Sequence, residues 1–562
     1  MTTSVTERQP RPASPYELPW TPQPLRVPTD SPSVLAVPRI DLAPELVRAH
    51  HAWLQRHDRH ILGRPLSELR DWARGAALQE AYRYTEELLQ RPLPRKPFEH
   101  VVATGHQPEL FHPGVWIKNF AVGHIAEQTY AAPLNIIVDT DTVDRVQIPV
   151  PIGTREAPRL QWVAFDDPHH REPWELAKVR NRKRFAEFRS EVCRLLQSWH
   201  YLPLLADCWR DATARLQQTD RLVDCLVAAR HKLERRWKLN NLELPLSRLC
   251  ETDPFRWFLA RILADIRRFH EIHNSVLREY RQVHRVRSTR HPVPALATRD
   301  DWYETPFWVW ADGEQQRRRL FARPVAGGVE LADDERPLGT VRIDPDDATA
   351  TALPDLRRLS TAGWRFRTRA LTTTMFVRVF LSDLFIHGIG GARYDEMTDR
   401  IIARFFEIPP PEFQTITATL WLPIGPPFDV DPADLRRIDH GIRELTYNAD
   451  RYLPGGVYPE ADALMLRKEQ LIEEQHQAEQ RRGLTRRERR ALAPANRRRF
   501  LEFREIDAKL AAFAQPQRQH LLQLRSELLE RLQANEILTR RDYPYCLYDE
   551  ASLRALIRQA FS

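Results

Sequence analysis

No apolar run in the chain reaches the ~18 residues that a membrane-spanning helix needs, so no transmembrane span is expected. Met1 to Asp30 is polar and proline-rich and lacks an apolar h-region, so it does not read as a secretory signal. The five cysteines (Cys193, Cys208, Cys225, Cys250 and Cys546) form no CxxC pair, which argues against a paired-thiol redox or zinc motif. Their odd number fits free, mostly buried thiols in a reducing cytosol. No Gly-x-x-x-x-Gly-Lys-Ser/Thr run occurs, which excludes a P-loop. Lysine is scarce. Nearly all of the positive charge is arginine, spread among Glu and Asp along the chain, whereas a nucleic-acid footprint would cluster it. No specific nucleic-acid partner and no membrane partner are expected, and a cytoplasmic location is.

What is present describes a large globular protein. The 562 residues are 42% hydrophobic and 28% charged, with a net charge of +8. That composition fits ordinary folded chains, and the length calls for two or three domains at about 100–200 residues each.

Residues 1–40 read as an extended Pro-rich arm. Helical periodicity follows from Pro44 to Leu89, interrupted at Gly63-Arg64-Pro65. Phe98 to Ala103 reads as a strand, with a helix opening at Pro113-Gly114. Leu134 to Val138 then has the apolar character of a buried strand. Strand, helix and strand in this order predict a βαβ unit and a parallel sheet. Residues 172–292 look almost entirely helical. Short alternating strands at Pro306–Trp310, Arg319–Ala322 and Gly328–Leu331 predict an antiparallel meander. A second unit comprises a strand at Leu384–His387, a turn at Gly388–Gly391, a helix from Tyr394 to Phe406, and a strand from Thr415 to Leu422. From Ala461 to Gln533 the chain is helical, with heptad spacing at Leu464, Leu471 and Ala478 and from Phe503 onward. Pro494 and Pro516 are expected to break it, giving a bent or antiparallel hairpin. The resulting divisions are 1–97 (arm and helices), 98–171 (first core segment), 172–300 (helical connection), 301–430 (small β region and second core segment) and 431–562 (C-terminal helices).

In parallel α/β sheets, ligands lie beyond the carboxyl ends of the strands. Three loops occupy that place. The first holds Thr104, Gly105, His106, Gln107 and His112. Its imidazoles suit either a structural role or stabilisation of a phosphoryl transition state, and His-x5-His is not a zinc spacing. The second holds Asp139, Asp141 and Asp144, which either cap the next element or attract a cation or amine. No dedicated metal-ligand set is assigned. The third holds His387, Gly388, Gly390, Gly391 and Tyr394. Its glycines either permit a tight turn or offer backbone N–H groups to a phosphate.

At these residues the chain resembles the bacillithiol biosynthesis cysteine-adding enzyme family. Thr104-Gly105-His106-Gln107-Pro108-Glu109-Leu110-Phe111 is similar to that family's TGQQ-type loop with a following Leu-Phe. Asp139-Thr140-Asp141 stands for its DHD-type segment, and Gly388–Gly391 with Tyr394 for its glycine-rich loop. His106 replaces a Gln and Thr140 replaces a His, which implies a divergent member with a different acceptor. The resemblance implies a Rossmann-like, nucleotidyltransferase-like core with helical insertions and a C-terminal coiled coil that forms a homodimer. It also implies an ATP-dependent ligase that joins cysteine or a similar amino acid to a small sugar-derived acceptor. ATP or ADP, with Mg2+, is the expected cofactor set. His106, Gln107, His112, Asp139 and Asp141 would carry the chemistry. Thr104, Gly105, His387, Gly388, Gly390, Gly391 and Tyr394 would bind nucleotide or substrate. Nucleotidyl transfer without amide formation and a non-catalytic coiled-coil scaffold are the alternatives.

Overall fold

The computed structural model describes residues 16, 19, 20, 25–287, 293–479 and 485–561. Most of the arm before Leu25 lies outside them. The chain divides into two compact units. The first holds Met1–Val150, Gln161–Pro423 and Arg541–Ser562; the second holds Pro151–Leu160 and Ile424–Arg540.

The first unit is built on a six-stranded sheet of β1 (Ser33–Val37), β2 (His100–His106), β3 (Ala131–Ile137), β4 (Leu242–Pro245), β5 (Leu384–His387) and β6 (Phe413–Thr419), in the order β1-β6-β5-β2-β3-β4. All neighbours are parallel except β1, which runs antiparallel to β6 as an edge strand. The expected βαβ unit is β2, helix Pro113–Thr129 and β3. β4 and β5 are buried along their whole length, and β2, β3 and β6 nearly so. Burial on both faces explains why these segments read as apolar runs rather than alternating strands.

From β2 the chain builds outward to β3 and β4, then returns to the other side of β2 to lay down β5 and β6. The order therefore reverses between β2 and β5, where Thr104 pairs with Ile386. This reversal is the topological switch point of the sheet.

An antiparallel sheet also belongs to this unit and enlarges the predicted meander. Its strands are Trp302–Ala311, Arg318–Val325, Gly328–Ala332, Pro337–Arg342 and Trp364–Thr368. The aromatic side chains of Phe255, Phe258, Phe307, Phe376 and Phe380 pack together in the buried core.

Three expectations need correction, and one element is new. The 172–292 stretch is not wholly helical, because Leu242–Pro245 supplies β4. Four residues are too few to show a period. A hairpin of Gln147–Gly153 and Pro158–Ala164 was not anticipated. The helix after β5 starts at Ile389, not Tyr394, so Gly390 and Gly391 lie in its first turn. Pro494 lies inside helix Arg486–Phe513 without ending it. That turn is exposed, so the carbonyl freed by the missing N–H can meet water.

In the second unit, helices Pro432–Tyr447, Pro459–Glu479, Arg486–Phe513 and Gln515–Leu538 pack on one another. The heptad residues Leu471, Ile506 and Leu510 are buried in this intrachain core, flanked by Leu464, Phe503, Phe513 and Leu521. The side chain of Ala478 lies outside the described residues. The last segment does not stay with these helices. From Arg541 onward it belongs to the first unit, where the backbone N–H of Tyr545 donates to the Phe111 carbonyl at 2.8 Å. No helix among the described residues is long and apolar enough to cross a membrane.

Candidate functional site

The switch point brings the first and third loops together. Thr104 Oγ1 donates to the Ile386 carbonyl at 2.7 Å, joining the carboxyl ends of β2 and β5. His106 ends β2 and is buried. Its Nε2 lies 3.0 Å from Asn119 Oδ1, and Asn119 Nδ2 donates to Glu234 at 2.7 Å. The carboxylate turns the Asn119 amide oxygen toward Nε2, while Nδ1 lies 3.1 Å from the Gln107 carbonyl oxygen, so the neutral ring faces two acceptors with one proton and donates to one of them at a time. Glu234 also accepts from Trp116 Nε1 and Arg230, and Arg230 pairs with Glu243. A buried relay therefore runs from Glu243 to His106. Burial, with the Lys118 and Arg230 charges, pushes the His106 pKa down to about 3, so the ring is neutral.

His387 ends β5 and is held in a similar way from the opposite wall. Its Nε2 donates to Asp395 at 2.8 Å, and Asp395 also accepts from Arg378 at 2.5 Å and Thr374 at 2.7 Å. Burial lowers the His387 pKa, although Asp395 acts to raise it. The free Nδ1 faces Gly391, where an added Cβ would lie only 2.7 Å from it. Gly391 is therefore required by close approach. Gly388 caps the helix, Gly388 and Gly390 border open space, and Gly390 and Gly391 are exposed. The first-turn N–H groups have no acceptor within a helix and attract an anion. Tyr394 is half-buried, its ring 6.4 Å from that of Tyr280.

Lys118 was missed by sequence reasoning. It lies in the first turns of helix Pro113–Thr129, is buried, and donates from Nζ to the Gly105 carbonyl at 3.0 Å. Burial alone pushes its pKa down to about 7. Its charge acts on His106, His112 and His387, which places it among the three imidazoles. The only hint in the sequence is a lysine directly after the apolar first turn of that helix, in a lysine-poor chain.

His112 is the N-cap of that helix, its Nδ1 accepting from the Gly114 N–H at 3.0 Å. This is a helix-capping role.

The structure does not gather the carboxylates of the second loop. Asp139 is buried against Ser247, whose N–H and Oγ donate to it at 2.8 and 2.5 Å. Asp141 accepts from Gln107 Nε2 at 3.1 Å and pairs with Arg317 at 3.0 Å. Asp144 points outward to Arg145. A cage for a cation is not formed, because each carboxylate already has a different donor. The His/carboxylate clusters with metal-like spacing among the described residues lie elsewhere, at His51, His100 and Asp383 and at His231, Glu234 and Glu243. Arg70 and Arg74 bind Asp383, and Arg230 binds both Glu234 and Glu243, so these clusters are charge-compensated without a metal.

Burial, reinforced by nearby Glu175, pushes the Asp139 pKa up to about 7. Its folded-state value lies above the unfolded one, so its contribution to stability is complete below about pH 4 and is lost as pH rises through about 7. Asp139→Asn, which mimics the neutral acid, is expected to match wild type below about pH 4 and to become progressively the more stable protein as pH rises to about 7, the gap levelling off above that. The gap should grow by at most about 1.4 kcal/mol per pH unit. Urea unfolding across the pH range checks this, and a pH-independent difference would contradict it.

These features define a mixed α/β protein with His106, His387 and Lys118 buried near the switch point of a parallel sheet. No family model and no curated protein matches the chain.

Proposed function

We propose that the chain is an ATP-dependent ligase of small-molecule metabolism that binds nucleotide in the crevice between β2 and β5. One observation carries this reading. The open, glycine-lined start of helix Ile389–Ile401 adjoins His106 and His387 at the switch point. The sheet is read as Rossmann-like on the same basis. Gly388, Gly390 and Gly391 would hold phosphate oxygens, and neutral His106 and His387 would donate to or accept from the reacting groups. The resemblance to the cysteine-adding enzymes supports amide formation between an amino acid and a sugar-derived acceptor. Mg2+ would arrive with the nucleotide. Asp139 does not suit it, being buried and engaged by both donors of Ser247. The C-terminal helices are proposed as the dimerising element, since Leu466, Phe500 and Leu501 remain exposed on them.

The test is thermal unfolding with ATP, ADP and amino acids. A nucleotide at a hundredfold excess over Kd should add about 2.7 kcal/mol of apparent stability. No shift with any nucleotide would overturn the reading. Nucleotidyl transfer remains the second reading, and it is separated by the product: an amide conjugate or a nucleotidylated compound.

A further inference from the structure

Lys118 reaches the carboxyl end of β2 from the helix that follows the β2 loop. Only 4% of the residue is exposed, and the hydrogen-bond partner of Nζ is a neutral carbonyl, that of Gly105. Among the described residues no carboxylate forms an ion pair with it. The charged and titratable groups around it are His106 of β2, backed by Arg230; His112 of the loop, beside Arg541; and His387 of β5, beside Asp395 and Arg378. Asp395 is already saturated by Arg378, His387 and Thr374. Burying an ammonium without a counter-charge is costly. A methionine would fill the same space, and a serine or asparagine could satisfy a carbonyl. The arrangement makes sense as half of an ion pair whose other half comes with the ligand.

We propose that Lys118 is a ligand-binding residue of the crevice, its ammonium pairing with an anionic oxygen of the bound molecule, whether a phosphoryl oxygen or a carboxylate. The inference rests on the ligand crevice proposed above and adds the group that neutralises the ligand's charge. The free amine titrates at about 7, so above that pH it is largely unprotonated, and an arriving anion draws a proton onto Nζ. His106, His112 and His387 are held neutral by burial and do not supply that charge.

The experiment is titration calorimetry of the full chain near pH 8, about one unit above that titration. MgATP and pyrophosphate are the phosphoryl probes and malate is the carboxylate probe. Each is run in two buffers of different ionisation enthalpy. Wild type should bind at least one probe with net proton uptake. Lys118→Met should weaken that probe at least about tenfold and abolish the uptake, and the probe affected identifies the anion. Lys118→Arg should keep binding but take up no proton, which carries the test if the methionine variant does not fold. A folded Lys118→Met that binds every probe as wild type does, or uptake unchanged in Lys118→Arg, overturns the assignment and leaves the crevice standing. Failure of wild type to bind any probe overturns the crevice reading and this assignment with it.

Discussion

Arg230→Met should be among the most destabilising single substitutions in this chain, costing about 3–5 kcal/mol. Arg230 is buried between Glu234 and Glu243, donating at 2.6 Å to the first and at 2.7 and 3.0 Å to the second. Its charge is the main influence that keeps the Glu243 carboxyl well below its ordinary range, against the opposing effect of burial. Methionine replaces the stem but leaves Glu234 without a cation and Glu243 with only the His231 ring, whose Nδ1 lies 3.2 Å away. The two carboxylates would then take up protons, with folded-state pKa values above the unfolded ones. The variant's deficit should therefore be largest at neutral pH and shrink as pH falls toward the unfolded carboxylate range of about 4. Urea unfolding at neutral and acid pH checks both points. Adding Glu234→Gln and Glu243→Gln should recover part of the loss, because no buried charge is then left alone. A loss below 1 kcal/mol would show that the relay is not the buried ionic unit its geometry describes.

The other large effect is on chemistry. Under the ligase reading, His106→Ala should lower turnover at least about 10²-fold, the lower end for loss of a preorganised hydrogen-bonding group. The fold should survive, because the relay from Glu234 still holds Trp116 and Arg230. Unchanged circular dichroism with cooperative unfolding establishes that point. His106→Gln is the sharper variant, since the resembling family carries Gln there. A glutamine can still donate to Asn119 but presents no imidazole nitrogen to the ligand. Recovery of turnover in His106→Gln would make the role one of hydrogen bonding. Wild-type turnover in His106→Ala would remove the residue from the reaction altogether.

The parts of the fold that could be read in the sequence were those fixed by local pattern. The strand at Leu384–His387 stands out as an apolar run stopped by glycine, and its bounds agree with the observed strand. The Pro113-Gly114 helix start is equally local. β4 is hidden because its apolar residues are shared with the flanking helices and its place depends on pairing with β3. Site residues followed the same division. His106, His387 and the glycines are visible as strand-end residues. That His106 and His387 end neighbouring strands follows from strand order, which no local pattern contains. Lys118 is a more extreme case, for its depressed basicity comes wholly from packing. The acidic triplet misled for the opposite reason. Closeness in sequence suggested a shared cation, whereas the strand end turns Asp139 inward to Ser247 and Asp144 outward.

The bond from Thr104 to Ile386 spans 282 residues. During synthesis the first histidine wall emerges long before its counterpart. The sheet would meanwhile present β2 with one flank unpaired, a sticky edge of the kind that chaperones shield. Ligand would therefore be a late arrival, stabilising the finished molecule without guiding its assembly. The intervening helices are more than spacers, since Glu234 backs His106 through Asn119, and Thr374 and Arg378 back His387 through Asp395.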